Sequence, residues 1–371
     1  MKKHSGETGT QTLRADMIAV SLIYVCWRIG LYGIEKIASF LWVERPGFLG
    51  LVTPWANFDG AHYTSIAKDG YGVFQFAFFP MYPLLIRLGH TISGLPYESV
   101  AVGISHIALF TGLFLFWRYL KGTPGRVWVI ILFLVYPASF FFAAAYSESV
   151  FFALSIGVLV SLQNKRWILV GVLAGLASAT RLVGVFLWLP IAIALWKDRQ
   201  HLTREVWFAL CMAPLGLVSY MGYLWRAAGD PLAFFHVQSA FGAGRSGSEV
   251  IFLPQLLWRY ARIFMTVPQG EFLYHIAVLE LSSLVFGAVL VVTAWRKRLD
   301  PGIILYSAGV ILLPTLTGTL SSMPRYLLAA FPLFSVFGGL RPVWIKLAVL
   351  IVFLMLLVYA TTGFLKGYFI S

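Results

Sequence analysis

Apolar runs long enough to cross a lipid bilayer recur throughout this chain of 371 residues. A helical crossing takes about 20 residues at 1.5 Å each. In hydrocarbon every backbone N–H and C=O must be satisfied internally, which leaves helices or a closed barrel. The runs are continuous and not alternating, so helices are selected. Composition agrees, with 59% of residues hydrophobic and 12% charged, against about 25% charged in soluble domains. The mean hydropathy is +0.81.

The expected fold is therefore all-α, a polytopic integral membrane protein with about eleven transmembrane helices. Their approximate positions are 15–41, 101–119, 127–145, 149–162, 167–179, 182–196, 206–225, 272–295, 302–320, 326–340 and 344–365. The net charge of +13 does not indicate nucleic acid, because the basic residues are scattered between apolar spans without a continuous basic face. Cys26 and Cys211 both fall inside spans and suggest neither a disulfide framework nor a metal site.

Charge placement gives an orientation. With residues 1–14 as a cytoplasmic tail, every expected cytoplasmic stretch is basic: Lys2, Lys3 and Arg14; Arg118, Lys121 and Arg126; Lys165 and Arg166. The later ones carry Lys197, Arg199 and Arg204; Arg296, Lys297 and Arg298; and Arg341 and Lys346. The opposite side keeps most of the acids, including Asp59, Glu148 and Asp230. This is the positive-inside pattern. It makes 42–100 and 226–271 long external loops. In the first, FAFFPMYPLLIRLGHTI is too short and proline-rich for a crossing and reads as an interfacial or re-entrant helix. The second reads as a short helix followed by a mobile Gly/Ser-rich stretch. Long aromatic loops on one face point to work done on that face.

Several polar residues in apolar surroundings need a reason. Asp59 lies in an aromatic segment one helical turn from His62 and Tyr63. It is either a general base or substrate ligand, or the N-cap of the following helix. Arg325, in SSMPRYLLAAFPLF, either snorkels to headgroups or clamps a phosphate, whose oxygens match a guanidinium fork. Arg181, in SATRLVGV, admits the same two readings. Tyr146, Ser147, Glu148 and Ser149 form an external turn with Ser147 as a possible N-cap. Arg28 and Glu35 are seven apart, hence on one helix face, and suit structural pairing. His236 and Gln238 fit an interfacial helix. The histidines show no metal-binding spacing, and neither a dinucleotide fingerprint nor a P-loop is present. No cofactor is implied.

Taken in order, these segments resemble a known family. FDGAHYTSIAKDGY followed by FAFFPMYPLL resembles the first luminal loop of PIG-V-like mannosyltransferases, in the GT-C class of membrane glycosyltransferases. YPASFFFAAAYSESVFFALS, ATRLVGVFLWLP, GDPLAFFHVQ and MPRYLLAAFPLF resemble later blocks of that family in the same order, so the likeness runs over 55–340. The resemblance implies one transmembrane glycosyltransferase-like domain over 1–371. It also implies transfer of a sugar, most simply mannose, from a polyprenyl-phosphate donor to a glycan, lipid or protein acceptor. The acid of the first loop, here Asp59, is then the base. Relatives often have Arg-Trp before that Asp, whereas this chain has Asn57-Phe58.

The residues fit such chemistry. Inverting transfer needs a base for the acceptor hydroxyl, which Asp59 supplies. It also needs cations or donors on the departing phosphate, for which Arg325, Arg181 and His62 are candidates. Tyr63 and Tyr326 are candidate substrate contacts, and Glu148 is placed to bind sugar hydroxyls or to position Arg325. The catalytic side is external or luminal, at the plasma membrane of a prokaryote or the endoplasmic reticulum of a eukaryote. The rival is a transporter or lipid flippase, which tends to show internal repeats and paired broken helices; no repeat is visible here.

Overall fold

The computed structural model describes residues 4–45, 53–197, 203–242, 244–247 and 249–370, with side chains from residue 13 onward. In chain order its helices are α1 (His4–Leu41), α2 (Asp59–Asp69), α3 (Met81–Ser93), α4 (Tyr97–Tyr119), α5 (Arg126–Leu134), α6 (Glu148–Gln163), α7 (Trp167–Ser178) and α8 (Trp188–Lys197). There follow α9 (Arg204–Met212), α10 (Leu215–Ala228), α11 (Ala233–His236), α12 (Leu253–Thr266), α13 (Phe272–Arg296), α14 (Pro301–Thr315), α15 (Met323–Ala329) and α16 (Val343–Leu365). Among the described residues there is no strand. The all-helical expectation holds, and this is a membrane protein by the length and apolarity of its helices.

The eleven spans are a different matter. Among the described residues four helices are long and apolar enough to cross a bilayer: α1 over Leu13–Leu41, α4, α13 and α16. A fifth arises if α9 and α10 count as one, bent by 43° where Pro214 interrupts the backbone ladder. The segments α6, α7, Leu182–Lys197 and α14 are apolar but shorter. The runs at 127–145 and 326–340 are broken: α5 stops at Leu134 and a 3-10 turn, Ser139–Phe142, follows. In the second, α15 ends at Ala329, ahead of a 3-10 turn over Phe331–Phe337. Phe140, Phe141, Phe142, Phe331 and Phe334 are all fully buried. Their hydrophobicity reflects protein packing, which a hydropathy window cannot distinguish from contact with lipid. By contrast, Ile18, Leu22, Val25 and Ile29 of α1 are exposed, an apolar face suited to lipid. Helix α1 also starts at His4, within the stretch read as a polar tail.

Both long loops are more helical than loops usually are. In the first, α3 buries Tyr82 and Ile86 while Leu84, Leu88 and Ile92 form an exposed apolar stripe at i, i+4, i+8. That is the surface of an amphipathic interfacial helix. In the second, α12 was not anticipated. It buries Leu256 and Tyr260 and exposes Leu253, Leu257 and Trp258. The signal was present in the helical spacing of those residues and in Pro254 at the start.

Helix α4 packs on α6, α6 on α7, and α7 on α9 and α10, while α1 lies against α4 and α16. The α7–α10 approach depends on missing side chains, as is usual where helices associate closely. A Cβ on Gly216 would stand 2.1 Å from the Gly175 carbonyl oxygen. At the far end, the start of α1 meets the end of α4 and the start of α5. There Asp16 accepts from Trp117 at 2.6 Å and from Arg126 at 3.3 Å. Arg28 and Glu35 do not pair directly. Both meet Trp55, whose indole donates to Glu35 at 3.0 Å while Arg28 lies 5.4 Å from its ring centre.

Gly216→Ala should destabilise the protein by about 1–3 kcal/mol, the usual cost of forcing atoms into a packed interface. Gly222→Ala, where an added Cβ meets nothing within 4 Å, should leave thermal unfolding in detergent unchanged or slightly raised. Equal effects would contradict the close α7–α10 contact.

Candidate active site

Four charged residues, far apart in sequence, form one chain of ion pairs. Arg325 Nη1 donates to Asp59 Oδ2 at 2.7 Å. The same guanidinium donates through Nε and Nη2 to Glu148 Oε1, at 2.8 and 2.7 Å. Glu148 Oε1 also pairs with Arg181 Nη1 at 2.5 Å. The order is Asp59, Arg325, Glu148, Arg181, with signs alternating. Exposure varies along it: the side chains of Glu148 and Arg325 are 3% and 6% exposed, those of Arg181 and Asp59 14% and 20%. The centre is buried and Asp59 is the end that reaches outward.

Each member stands at a helix junction. Asp59 and Glu148 are the first residues of α2 and α6, where the positive end of the helix dipole favours a carboxylate. Arg181 follows the end of α7, and Arg325 lies in the first turn of α15. A guanidinium there opposes the dipole, and its two carboxylate partners offset that cost. Rings sandwich it as well, with Phe141 and Tyr146 centred 4.7 and 4.8 Å from the Arg325 guanidinium carbon.

Local structure brings the first loop to the 145–148 turn. Ala145 N donates to Trp55 O at 2.8 Å, and the Tyr146 hydroxyl donates to Asn57 O at 3.0 Å. Gly60 allows the close approach, since a Cβ there would lie 3.3 Å from the Ala145 carbonyl oxygen. Asn57 is buried and its amide donates to Phe364 O at 3.4 Å, tying the segment to the end of α16. At Phe58 the backbone takes φ +55° and at Ser322 φ +71°, a region unfavourable for side-chain-bearing residues. Such conformations cost about 1–3 kcal/mol and persist where surroundings enforce them. One precedes Asp59 and the other lies three residues before Arg325.

Neither acid caps its helix. Phe58 occupies the N-cap position of α2, and Asp59 is spent on Arg325. Ser147 does occupy the N-cap position of α6 but makes no side-chain cap bond; its hydroxyl lies 3.0 Å from the Tyr63 hydroxyl and takes a 3.5 Å contact from Arg181. Arg325 does not snorkel, being buried. Tyr326 lies under Arg181, 5.8 Å from ring centre to guanidinium carbon. His62 is half-buried on α2, stacked on Phe78 at 4.9 Å with Phe241 edge-on at 5.9 Å. Burial lowers its pKa and the nearby Asp59 opposes that only in part, so at neutral pH the imidazole is uncharged. It can donate a hydrogen bond to a substrate but does not add a cation. His236 pairs instead with Asp230 at 2.6 Å, on the exposed second loop.

The sequence did not single out Arg245. It extends from the second loop to Gln238 Oε1 at 3.1 Å and to the hydroxyls of Ser321 and Ser322 at 3.1 and 3.3 Å. Arg259 joins it by donating to Gly244 O and Gly318 O. The second loop is thus fastened to the turn that leads into Arg325. Nothing in the local sequence marks Arg245, because Ser321 and Ser322 lie 76 and 77 residues away.

No family model matches the chain. It is 30% identical to GPI alpha-1,6-mannosyltransferase 2 of Cricetulus griseus over 167 residues, 40% of this chain and 33% of that protein. It is likewise 30% identical to GPI alpha-1,6-mannosyltransferase 2 of Mus musculus over 208 residues, 48% of this chain and 41% of that protein. The chain thus spans about a third to two fifths of the length of these curated relatives, and its similarity is to a mannosyltransferase.

Proposed function

We propose that this protein is a membrane glycosyltransferase that moves a sugar, most simply mannose, from a polyprenyl-phosphate donor to an acceptor outside the cytoplasm. The observation that carries the reading is the ion-pair chain with its single outward carboxylate, Asp59. The partial likeness to mannosyltransferases supports the reaction class. The whole chain is taken to act as one unit, with the acceptor a glycan, lipid or protein. Arg126 pairs with Asp16 near the start of α1, whereas the first loop meets α1 at Glu35 through Trp55; together with the basic residues of the expected cytoplasmic stretches this supports an external or luminal active site.

In this reading Asp59 takes the proton of the acceptor hydroxyl while that oxygen attacks the anomeric carbon from the face opposite the phosphate. The sugar is inverted. Arg325 fixes the Asp59 carboxylate through Oδ2, leaving Oδ1 for the acceptor. Glu148 and Arg181 position Arg325 from behind. Uncharged His62, with Tyr63 and Tyr326, contacts the sugar as donor or packing surface. A lipid-linked donor keeps its tail in the bilayer, and the exposed stripe of α3 marks an element able to lie at that interface.

The test is incubation of purified protein with radiolabelled polyprenyl-phosphate-mannose and membrane extract. Label should pass to a new species, and Asp59→Asn should lower transfer by at least about 100-fold, the scale of general-base catalysis. Near-normal transfer by a folded Asp59→Asn variant would exclude the base assignment, and no transfer from any polyprenyl-phosphate sugar would exclude the reaction class.

A second prediction separates support from chemistry. Glu148→Gln removes the buried carboxylate that Arg181 and Arg325 share, leaving Arg325 paired with Asp59 and Arg181 without its carboxylate, and should cost about 3–5 kcal/mol of stability. Asp59→Asn sits at the more exposed end and should cost clearly less. Thermal unfolding in detergent compares the two, and an equal loss would contradict the burial gradient along the chain.

A further inference from the structure

We propose that Arg245 is the cation that receives the donor's phosphate, an inference that rests on the transferase reading above. The reason is charge balance. Asp59 and Glu148 together carry two negative charges, Arg325 and Arg181 two positive, and all four are joined by contacts of 2.8 Å or less. An anion binding to Arg325 or Arg181 would have to compete with a carboxylate already in place, at a buried position where an unpaired charge is costly. The phosphate therefore needs another partner.

Arg245 meets the requirement. Among the described residues its three side-chain hydrogen bonds all go to uncharged oxygens, those of Gln238, Ser321 and Ser322. A guanidinium has five N–H donors; among the described residues Nη2 uses two on the serines and Nη1 one on Gln238, so Nε–H and one Nη1–H remain as single donors to a ligand. Glu280 lies within electrostatic reach but accepts from the Tyr260 hydroxyl and forms no ion pair with Arg245 among the described residues. Arg245 is half-buried, accessible yet partly shielded from water, where a charge-assisted bond is stronger than at an open surface.

Its position is also right. Phe241, four residues earlier, packs on His62, one turn from Asp59. Arg245 itself binds the two serines that lie three and four residues before Arg325. Phe241 and Arg245 thus reach the two sides of the ion-pair chain. During transfer, the acceptor oxygen bonds to the anomeric carbon and its proton passes to Asp59. The bond from that carbon to the phosphate oxygen breaks, and the electron pair stays on the phosphate. The donor phosphodiester, with one negative charge, becomes a phosphomonoester with two. Arg245 is placed to stabilise the added charge.

The experiment measures binding of a short-chain prenyl phosphate, and of its mannosyl ester, to the purified full chain in detergent, alongside transfer kinetics. Arg245→Gln keeps a side chain able to bond Ser321 and Ser322 but removes the charge. It should weaken prenyl-phosphate binding by about 10- to 100-fold, the worth of a charge-assisted hydrogen bond, with thermal unfolding little changed. Arg245→Lys should recover part of that affinity, and the effect should shrink at high salt. If Arg245→Gln lowers unfolding temperature but leaves prenyl-phosphate affinity intact, Arg245 only fastens the loop and the proposal is overturned. Wild-type transfer with an Arg245→Gln variant of unchanged KM and kcat overturns it while leaving the transferase reading standing. Arg245-dependent binding without sugar transfer by any form has the opposite meaning: the anion site stands and the transferase reading falls.

Discussion

The site is organised by a single buried guanidinium. Arg325 is 6% exposed at its side chain and bonds both Asp59 and Glu148. A charge so placed is tolerated only when paired, since desolvation alone costs several kcal/mol. Pairing it draws together α2, α6 and α15, and Glu148 extends the set to Arg181 behind α7. The strained backbone at Phe58 and Ser322, the stitching of 55–57 to 145–146 and the Gly60 contact all serve to bring these junctions within hydrogen-bonding distance. The arrangement uses its charges on itself and exposes one carboxylate. It does not present an open cluster of cations.

That distinction bears on chemistry. Sequence alone left snorkelling to headgroups and a phosphate clamp open for Arg325 and Arg181, and the structure shows a third use, as partners of carboxylates. The geometry favours positioning for these two. The second long loop, fastened by Arg245 and Arg259 to the turn at 317–322, then becomes part of the proposed site. Its helix α12 and the first-loop helix α3 both expose apolar stripes beside polar surroundings. Elements of that kind suit an enzyme whose donor is half lipid and half sugar.

Much of this was legible in the sequence, and the remainder had physical reasons to be hidden. Asp59, Glu148, Arg181 and Arg325 stood out because a charge in an apolar segment demands a partner. Glu148 with Arg325 was one expected option, but the Asp59–Arg325 pair was not, because 266 residues separate the two and local spacing carries no trace of such a contact. Two of the expected spans are broken for a different reason: Phe140–142 and Phe331–334 are as apolar as any membrane segment, yet they pack in protein. Arg245 escaped notice because an arginine in a Gly/Ser-rich loop looks solvated. Asn57 has its own work in binding the end of α16.

The stereochemistry of transfer is the most direct test of Asp59 acting as a base in a single displacement. A β-mannosyl phosphoprenol of defined configuration would be supplied to the purified protein with an accepting extract, and the anomeric configuration of the product read by NMR. The account predicts complete inversion to the α-mannoside. A β-mannoside would require two displacements through a covalent intermediate, and would contradict the role assigned to Asp59.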